Sequence, residues 1–305
     1  MRVKGLWFGI LVLLTISDSI AQINHPKASP LTTLEQSVGL STISVVYSRP
    51  AARGRHLFGP DEKGIQGLVP YGRIWRLGAN ESTKITVASD MHVQGNLLRK
   101  GTYALYAFPN EKTWEIAFHT NLTHWGDGRK AYKPEEDAFR ITVNPQYVSG
   151  FQENFLITFD AITHNSAVMK AVWGNLQVSI PFVVDTKSLM LNEIDKQIKE
   201  NPTAQTYYEA ARYFQEENEN PERALKLLEK AIELGGDTYY FHRVKSLVEA
   251  QLGQYKNAIA SAEKSLQLAE ALGKDEFVRM NQKNIVLCQA RLPIPTAVGV
   301  FSSLL

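Results

Sequence analysis

Residues 154–183 read NFLITFDAITHNSAVMKAVWGNLQVSIPFV, and the period of this stretch decides the fold class. Phe155, Ile157 and Phe159 stand two apart and share one face of an extended chain, which is the pattern of a half-buried strand rather than a helix. Strands are expected over residues 154–160, 167–173 and 176–183, the last two separated by a turn at Trp173-Gly174-Asn175. Toward the N-terminus the same alternation predicts strands at 38–47, 84–88, 101–108, 113–120 and 138–143. Trp114, Ile116 and Phe118 share a face, as do Phe139, Ile141 and Val143. Short connections such as PNEK at 109–112 imply antiparallel neighbours. About eight such strands predict a β-sandwich of jelly-roll type over residues 34–186.

Past residue 188 the period changes to that of helices, with breaks at 201–204 (NPTA), 219–222 (ENPE), 235–237 (GGD), 253–255 (GQY) and 273–275 (GKD). About six helices are expected over 188–292. ALKLLEKAIEL at 224–234 realigns with AIASAEKSLQL at 258–268, so that Ala224, Lys230 and Leu234 match Ala258, Lys264 and Leu268. That shift of about 34 residues is the period of tetratricopeptide helix hairpins, and predicts an all-α, tetratricopeptide-like domain. The tail 293–305 is apolar but broken by Pro293 and Pro295, and is not assigned to any element.

Between the first two predicted strands lies YSRPAARGRHLFGPDEKGIQGLVPYGRIWRLGANES, residues 47–82. Six glycines and three prolines prevent a helix or long strand from passing through it. Phe58, Leu68, Val69, Tyr71, Ile74, Trp75 and Leu77 supply the apolar anchors that disordered segments lack, so a built loop is expected. Arg49, Arg53, Arg55, Arg73 and Arg76 offer guanidinium forks suited to carboxylate, phosphate or sulfate. The structural alternative is that they pair with Asp61, Glu62 and Glu81 to hold the loop's shape. Tyr71 and Trp75 suit a flat platform for a sugar or ring, or equally an anchor for the loop. Asn80 and Glu81 stand at a strand entrance, where a buried glutamate can act as a base, although one placed here more often satisfies an arginine.

The motifs SRP, GR, FG, LVPYG and IWRLGANES, in that order over residues 48–82, resemble the bacterial family called domain of unknown function 2911. The likeness extends to WGN near residue 175, and the helical region is similar to what often follows that domain. The resemblance implies a secreted, β-rich domain with no assigned activity. His56 stands between GR and FG where the family pattern has a lysine or another residue, so no shared role attaches to it.

The chain has 305 residues, 44% of them hydrophobic, enough for two modest domains. Its first 21 residues combine Arg2 and Lys4 with an apolar run of about 12 and small residues at Ser19 and Ala21, the pattern of a signal peptide cut after Ala21. Such a run is short for a membrane span, so no stable span is expected after cleavage, and residues 22–33 read as a flexible polar leader. Without the first 21 residues, 31 basic and 30 acidic side chains remain, a balance that argues against a nucleic-acid partner. Cys288 is the sole cysteine, so no internal disulfide forms.

His56, His92, His119, His124 and His164 are scattered and show no metal-ligand spacing, so neither a metal site nor a cofactor is expected. No nucleophile elbow and no phosphate-binding glycine loop is present either. The glycine-rich HWGDGR at 124–129 is read as a second wall of a pocket, or as an ordinary long hairpin. The leading expectation is an extracytoplasmic binding protein for a small anionic or sugar-like ligand, or for a partner segment. Arg49, Arg55, Tyr71, Trp75, Arg76, Asn80 and Glu81 are expected to line one concavity. The rival is a hydrolase or isomerase with Glu81 as base and arginine as charge stabiliser. A structural scaffold, meeting a protein partner through the helical region, is the third reading.

Overall fold

The computed structural model describes residues 25–124 and 130–293. The predicted leader peptide, all of the HWGDGR turn except His124, and all but Pro293 of the C-terminal tail lie outside the described residues. The chain divides between Val184 and Asp185 into two compact units.

The N-terminal unit is antiparallel β-structure in two sheets. The six-stranded sheet has the order β1 (Leu31–Val38), β2 (Ser41–Ser48), β3 (Thr83–Val87), β6 (Gly101–Pro109), β7 (Trp114–His119), β8 (Asp137–Val143). The four-stranded sheet has the order β5 (Asn96–Leu98), β4 (Met91–Val93), β10 (Ser166–Val184), β9 (Gln146–Asp160). Trp114, Ile116 and Phe118 of β7 are buried on the inner face, as the alternation predicts. The Phe118 ring meets Phe182 of β10 at 6.3 Å, which joins the cores of the two sheets. A second tie is polar: the buried Tyr47 hydroxyl accepts from Ile157 N at 3.0 Å and donates to Ile157 O at 3.2 Å.

Three features depart from the sequence reading. Strand β1 begins at Leu31, inside the stretch read as a flexible leader, and pairs with β2 from Leu31–Ser48 to Val38–Ser41. The short strands β4 and β5 occupy three residues each, too few for alternation to register. Trp173-Gly174-Asn175 is not a turn, because β10 runs through it as one strand of 19 residues. Gly174 sits at φ +60°, and the pairing with β9 shifts register on both sides of it. The left-handed residue is therefore absorbed as a bulge, which bends the strand without ending it.

The C-terminal unit is six helices among the described residues: α1 (Thr186–Glu200), α2 (Ala204–Glu216), α3 (Pro221–Glu233), α4 (Tyr239–Gln251), α5 (Tyr255–Ala271) and α6 (Asp275–Gln289). Every predicted break overlaps a junction between two of them, and four of the five run into the first residues of the following helix. The starts are chemically marked: Asp185 accepts from Ser188 N, Thr203 from Thr206 N, and Asn220 from Arg223 N with Pro221 as the first helical residue. Ala211, Phe214, Leu228, Phe241 and Val248 are buried between helices and form the core of this unit. No helix among the described residues is long and apolar enough to cross a membrane.

Candidate functional site

Residues 49–82 form an ordered loop that is fastened to both sheets. Its start is held by Arg49, whose Nε donates to Phe155 O at 2.9 Å, and by an Ala51–Asn154 bridge to β9. Trp75 exchanges both backbone hydrogen bonds with Ala107 of β6 at 2.7 and 2.8 Å. The buried Trp75 side chain stacks on Trp173 at 6.0 Å and 17°, with Phe58, Trp114 and Phe155 edge-on or tilted around the pair. Its Nε1 donates to Gly78 O at 3.0 Å, so Trp75 is an anchor that pins the loop rather than an open platform.

The other expected site residues separate into groups. Arg55 and Arg76 line a hollow of about 340 Å³ together with Arg53, the Trp75 and Trp173 edges and Pro50. Tyr71 lies in a neighbouring hollow of about 230 Å³, which Arg55 also borders, along with Tyr147 and Phe151. The Tyr71 ring covers Gly59, where a Cβ would stand 2.2 Å from it, so that position admits glycine alone. Burial raises the Tyr71 phenol above its ordinary range. Asn80 is a structural corner at φ +61°, donating to Ser29 O and Ser48 Oγ at 3.1 Å each while its carbonyl accepts from Arg76 Nη1 at 2.9 Å. Glu81 is 62% exposed in its side chain and pairs with Lys84 at 3.3 Å. Neither Asn80 nor Glu81, nor Arg49, lines the 340 Å³ hollow.

The one carboxylate contact among the loop arginines in the described residues is to a backbone group, Arg53 N donating to Glu153 Oε1 at 2.7 Å. Among the described residues none of Arg49, Arg53, Arg55, Arg73 and Arg76 forms an ion pair. Arg55 instead donates to Ala52 O and Ala51 O at 2.9 and 2.7 Å. Asp61 closes its own turn by accepting from Lys63 N and Ile65 N.

A second constellation lies on the outer face of the six-stranded sheet, where β7 ends. Register slips between Phe118 and His119, so that His119 faces Asp137. The bulge turns both side chains to the same side, and a 3₁₀ turn at Pro134–Glu136 delivers Glu136 beside them. His119 Nε2 is 3.3 Å from His124 Nε2 and 3.3 Å from Glu136 Oε2, and His124 Nε2 is 3.7 Å from the same oxygen. Among the described residues, His119, His124 and Glu136 form a group whose ligand atoms lie close enough together to hold a metal ion. The expectation that the histidines are scattered therefore fails for this pair. His119 and Glu136 lie on different segments and meet only through strand pairing, which local spacing does not register.

Both groups are backed by further hydrogen bonds. The Asp137 carboxylate accepts from His119 Nδ1 at 2.8 Å, from the Tyr132 hydroxyl at 2.7 Å and from Arg140 Nε at 2.8 Å. Glu136 Oε2 accepts from Asn121 Nδ2 at 3.1 Å. Burial, and then the hydrogen bond to Asp137, push the Tyr132 phenol far up, so it remains a donor. Burial, the largest single influence, would lower Arg140, but its hydrogen bonds to Asp137 and Glu115 together with the charges of Tyr132 and Asp137 outweigh this and the guanidinium is raised. The Tyr132 ring stacks on His119 at 4.7 Å, and Tyr132 also lines a hollow of about 330 Å³ with Arg73, Ile74 and Phe108.

These features define an antiparallel β-sheet protein with an arginine-rich loop docked on its sheets, followed in sequence by six helices. Residues 29–182 match the family described as Protein of unknown function (DUF2911), and the chain belongs to that family. No curated protein and no solved structure matches the chain significantly.

Proposed function

We propose that the protein is an extracytoplasmic binding protein that takes a small anionic ligand at the loop of residues 47–82. One observation carries this reading: Arg53, Arg55 and Arg76 line a 340 Å³ hollow and none of their guanidiniums forms an ion pair among the described residues, the Glu153 carboxylate accepting from the Arg53 backbone N at 2.7 Å instead. Guanidiniums without an ion-pair partner around a concave site favour carboxylate, phosphate or sulfate. Less supports the rival enzyme reading, because Glu81 is exposed, pairs with Lys84 and lies outside the arginine-lined hollow.

Titration calorimetry with sulfate, phosphate and glucuronate tests this on the full chain. Saturable binding of at least one is expected, weakened tenfold or more in Arg76→Ala and Arg53→Ala, with thermal stability lowered by no more than about 1 kcal/mol. No saturable binding, or binding that survives both substitutions, overturns it. The extracytoplasmic address rests on the leader sequence. Intact-mass measurement of the exported product should give a chain beginning at Gln22, and a soluble product retaining the leader refutes the address.

Two finer features of architecture belong to the same reading. The contact of Phe118 with Phe182 supports face-to-face packing of the two sheets as a sandwich. Helices α3 and α5 begin at Pro221 and Tyr255, the same shift of about 34 residues as the sequence repeat, which supports tetratricopeptide-like pairing.

A further inference from the structure

We infer that His119, His124 and Glu136 form a divalent transition-metal site of zinc type, with a fourth coordination position left to an exogenous ligand. The argument begins with lone pairs. Asp137 is a carboxylate that already accepts from Tyr132 and Arg140, so the hydrogen on His119 Nδ1 points to it. In the neutral imidazole this fixes a bare lone pair on Nε2. That lone pair faces Glu136 Oε2, another electron-rich atom, at 3.3 Å, and His124 Nε2 at 3.3 Å. The three atoms are brought together either by a metal ion bound between them or, where His124 carries its hydrogen on Nε2, by a hydrogen bond shared within the cluster.

Distances separate the kinds of ion. In a tetrahedral site with bonds of about 2.0–2.1 Å, ligand atoms lie about 3.3–3.4 Å apart, whereas adjacent ligands of an octahedral ion are about 3.0 Å apart. The observed separations of 3.3, 3.3 and 3.7 Å fit the tetrahedral case. A circle of about 2.0 Å radius passes through the three atoms, so an ion at bonding distance sits just off their plane with one side free. Two imidazoles and one carboxylate suit zinc and its neighbours and disfavour calcium and magnesium, which prefer oxygen.

The surroundings are those of a ligand set rather than of a chance cluster. Asp137 behind His119 and Asn121 behind Glu136 are the outer partners that orient metal ligands. Three protein ligands also leave a coordination place free, as in zinc sites that bind water or substrate, whereas four closed ligands mark structural sites.

The test uses the full chain, stripped with chelator and titrated calorimetrically with Zn²⁺. One equivalent is expected to bind, with affinity lowered at least about 100-fold in both His124→Ala and Glu136→Gln, since losing a ligand should exceed the effect of losing an outer partner. His119 is fully buried and its replacement risks misfolding, so the two less buried ligands carry the test, with circular dichroism to confirm the fold. Cobalt substituted for zinc should give the intense visible absorption of a four-coordinate ion. Failure of the folded protein to bind a single equivalent, as expected if a proton rather than a metal bridges the cluster, overturns the inference. So does unchanged affinity in both variants, or the weak spectrum of six-coordinate cobalt.

Discussion

Trp75→Ala is expected to destabilise the N-terminal unit by about 3–5 kcal/mol, the cost of truncating a buried tryptophan and leaving a cavity that its neighbours cannot fill. Its side chain contacts Phe58, Trp114, Phe155 and Trp173, drawn from the loop and from strands of both sheets. Truncation therefore removes a common packing partner of elements that are distant in sequence. The loss of the Nε1 bond to Gly78 O adds a buried carbonyl without its donor. Denaturant unfolding followed by strand-sensitive circular dichroism reads the effect. Trp75→Phe should recover part of it by restoring a ring to the stack. A loss under about 1 kcal/mol would mean that the loop is held by its backbone bridge to Ala107, and that the aromatic cluster adds little.

The contrast between Trp75 and its neighbour Arg76 shows what sequence reasoning can and cannot resolve. Both stand in the same glycine-punctuated stretch, and composition alone supported either role for each. In the fold the indole is closed over by four rings, while the guanidinium borders open space and forms no ion pair among the described residues. The strands were legible where apolar residues alternated for five residues or more, as in β7, because period two translates directly into a buried face, whereas β1 was missed because its half-buried face is Thr32, Leu34, Gln36 and Val38, too polar to register. Alternation also failed at Gly174, where a glycine between polar and aromatic residues looks the same whether the chain turns or bulges. The helix ends were legible because Asn, Pro, Gly and Asp mark them chemically.

The histidine cluster was illegible for a different reason. Metal-ligand spacing rules describe ligands on one helix or one tight loop, whereas His119 and Glu136 meet because β7 and β8 are antiparallel neighbours. A signal did exist. Once strands are predicted near 113–120 and 138–143 and taken as a pair, their facing ends bring His119 close to Glu136 and Asp137. Pairing the expected strands before searching for clusters would have brought the residues together.

Asp137→Ala carries the second large effect, and it is independent of whether a metal binds. The carboxylate is 7% exposed and accepts from three donors: His119 at the end of β7, Tyr132 just before the 3₁₀ turn and Arg140 in β8. Removing it leaves two neutral donors without an acceptor and a cation without its nearer counter-ion, for which breaking a fully buried pair would cost about 3–5 kcal/mol. Arg140 is 31% exposed in its side chain and keeps Glu115 at 3.0 Å, so solvent and the second carboxylate recover part of that. The expected loss is about 2–3 kcal/mol in chelated protein. Asp137→Asn retains an acceptor oxygen and should lose less. Thermal unfolding of both variants without metal measures the difference. If the alanine variant proved as stable as the parent, the network would be idle in the apo fold, and Asp137 would matter only as the residue that orients His119.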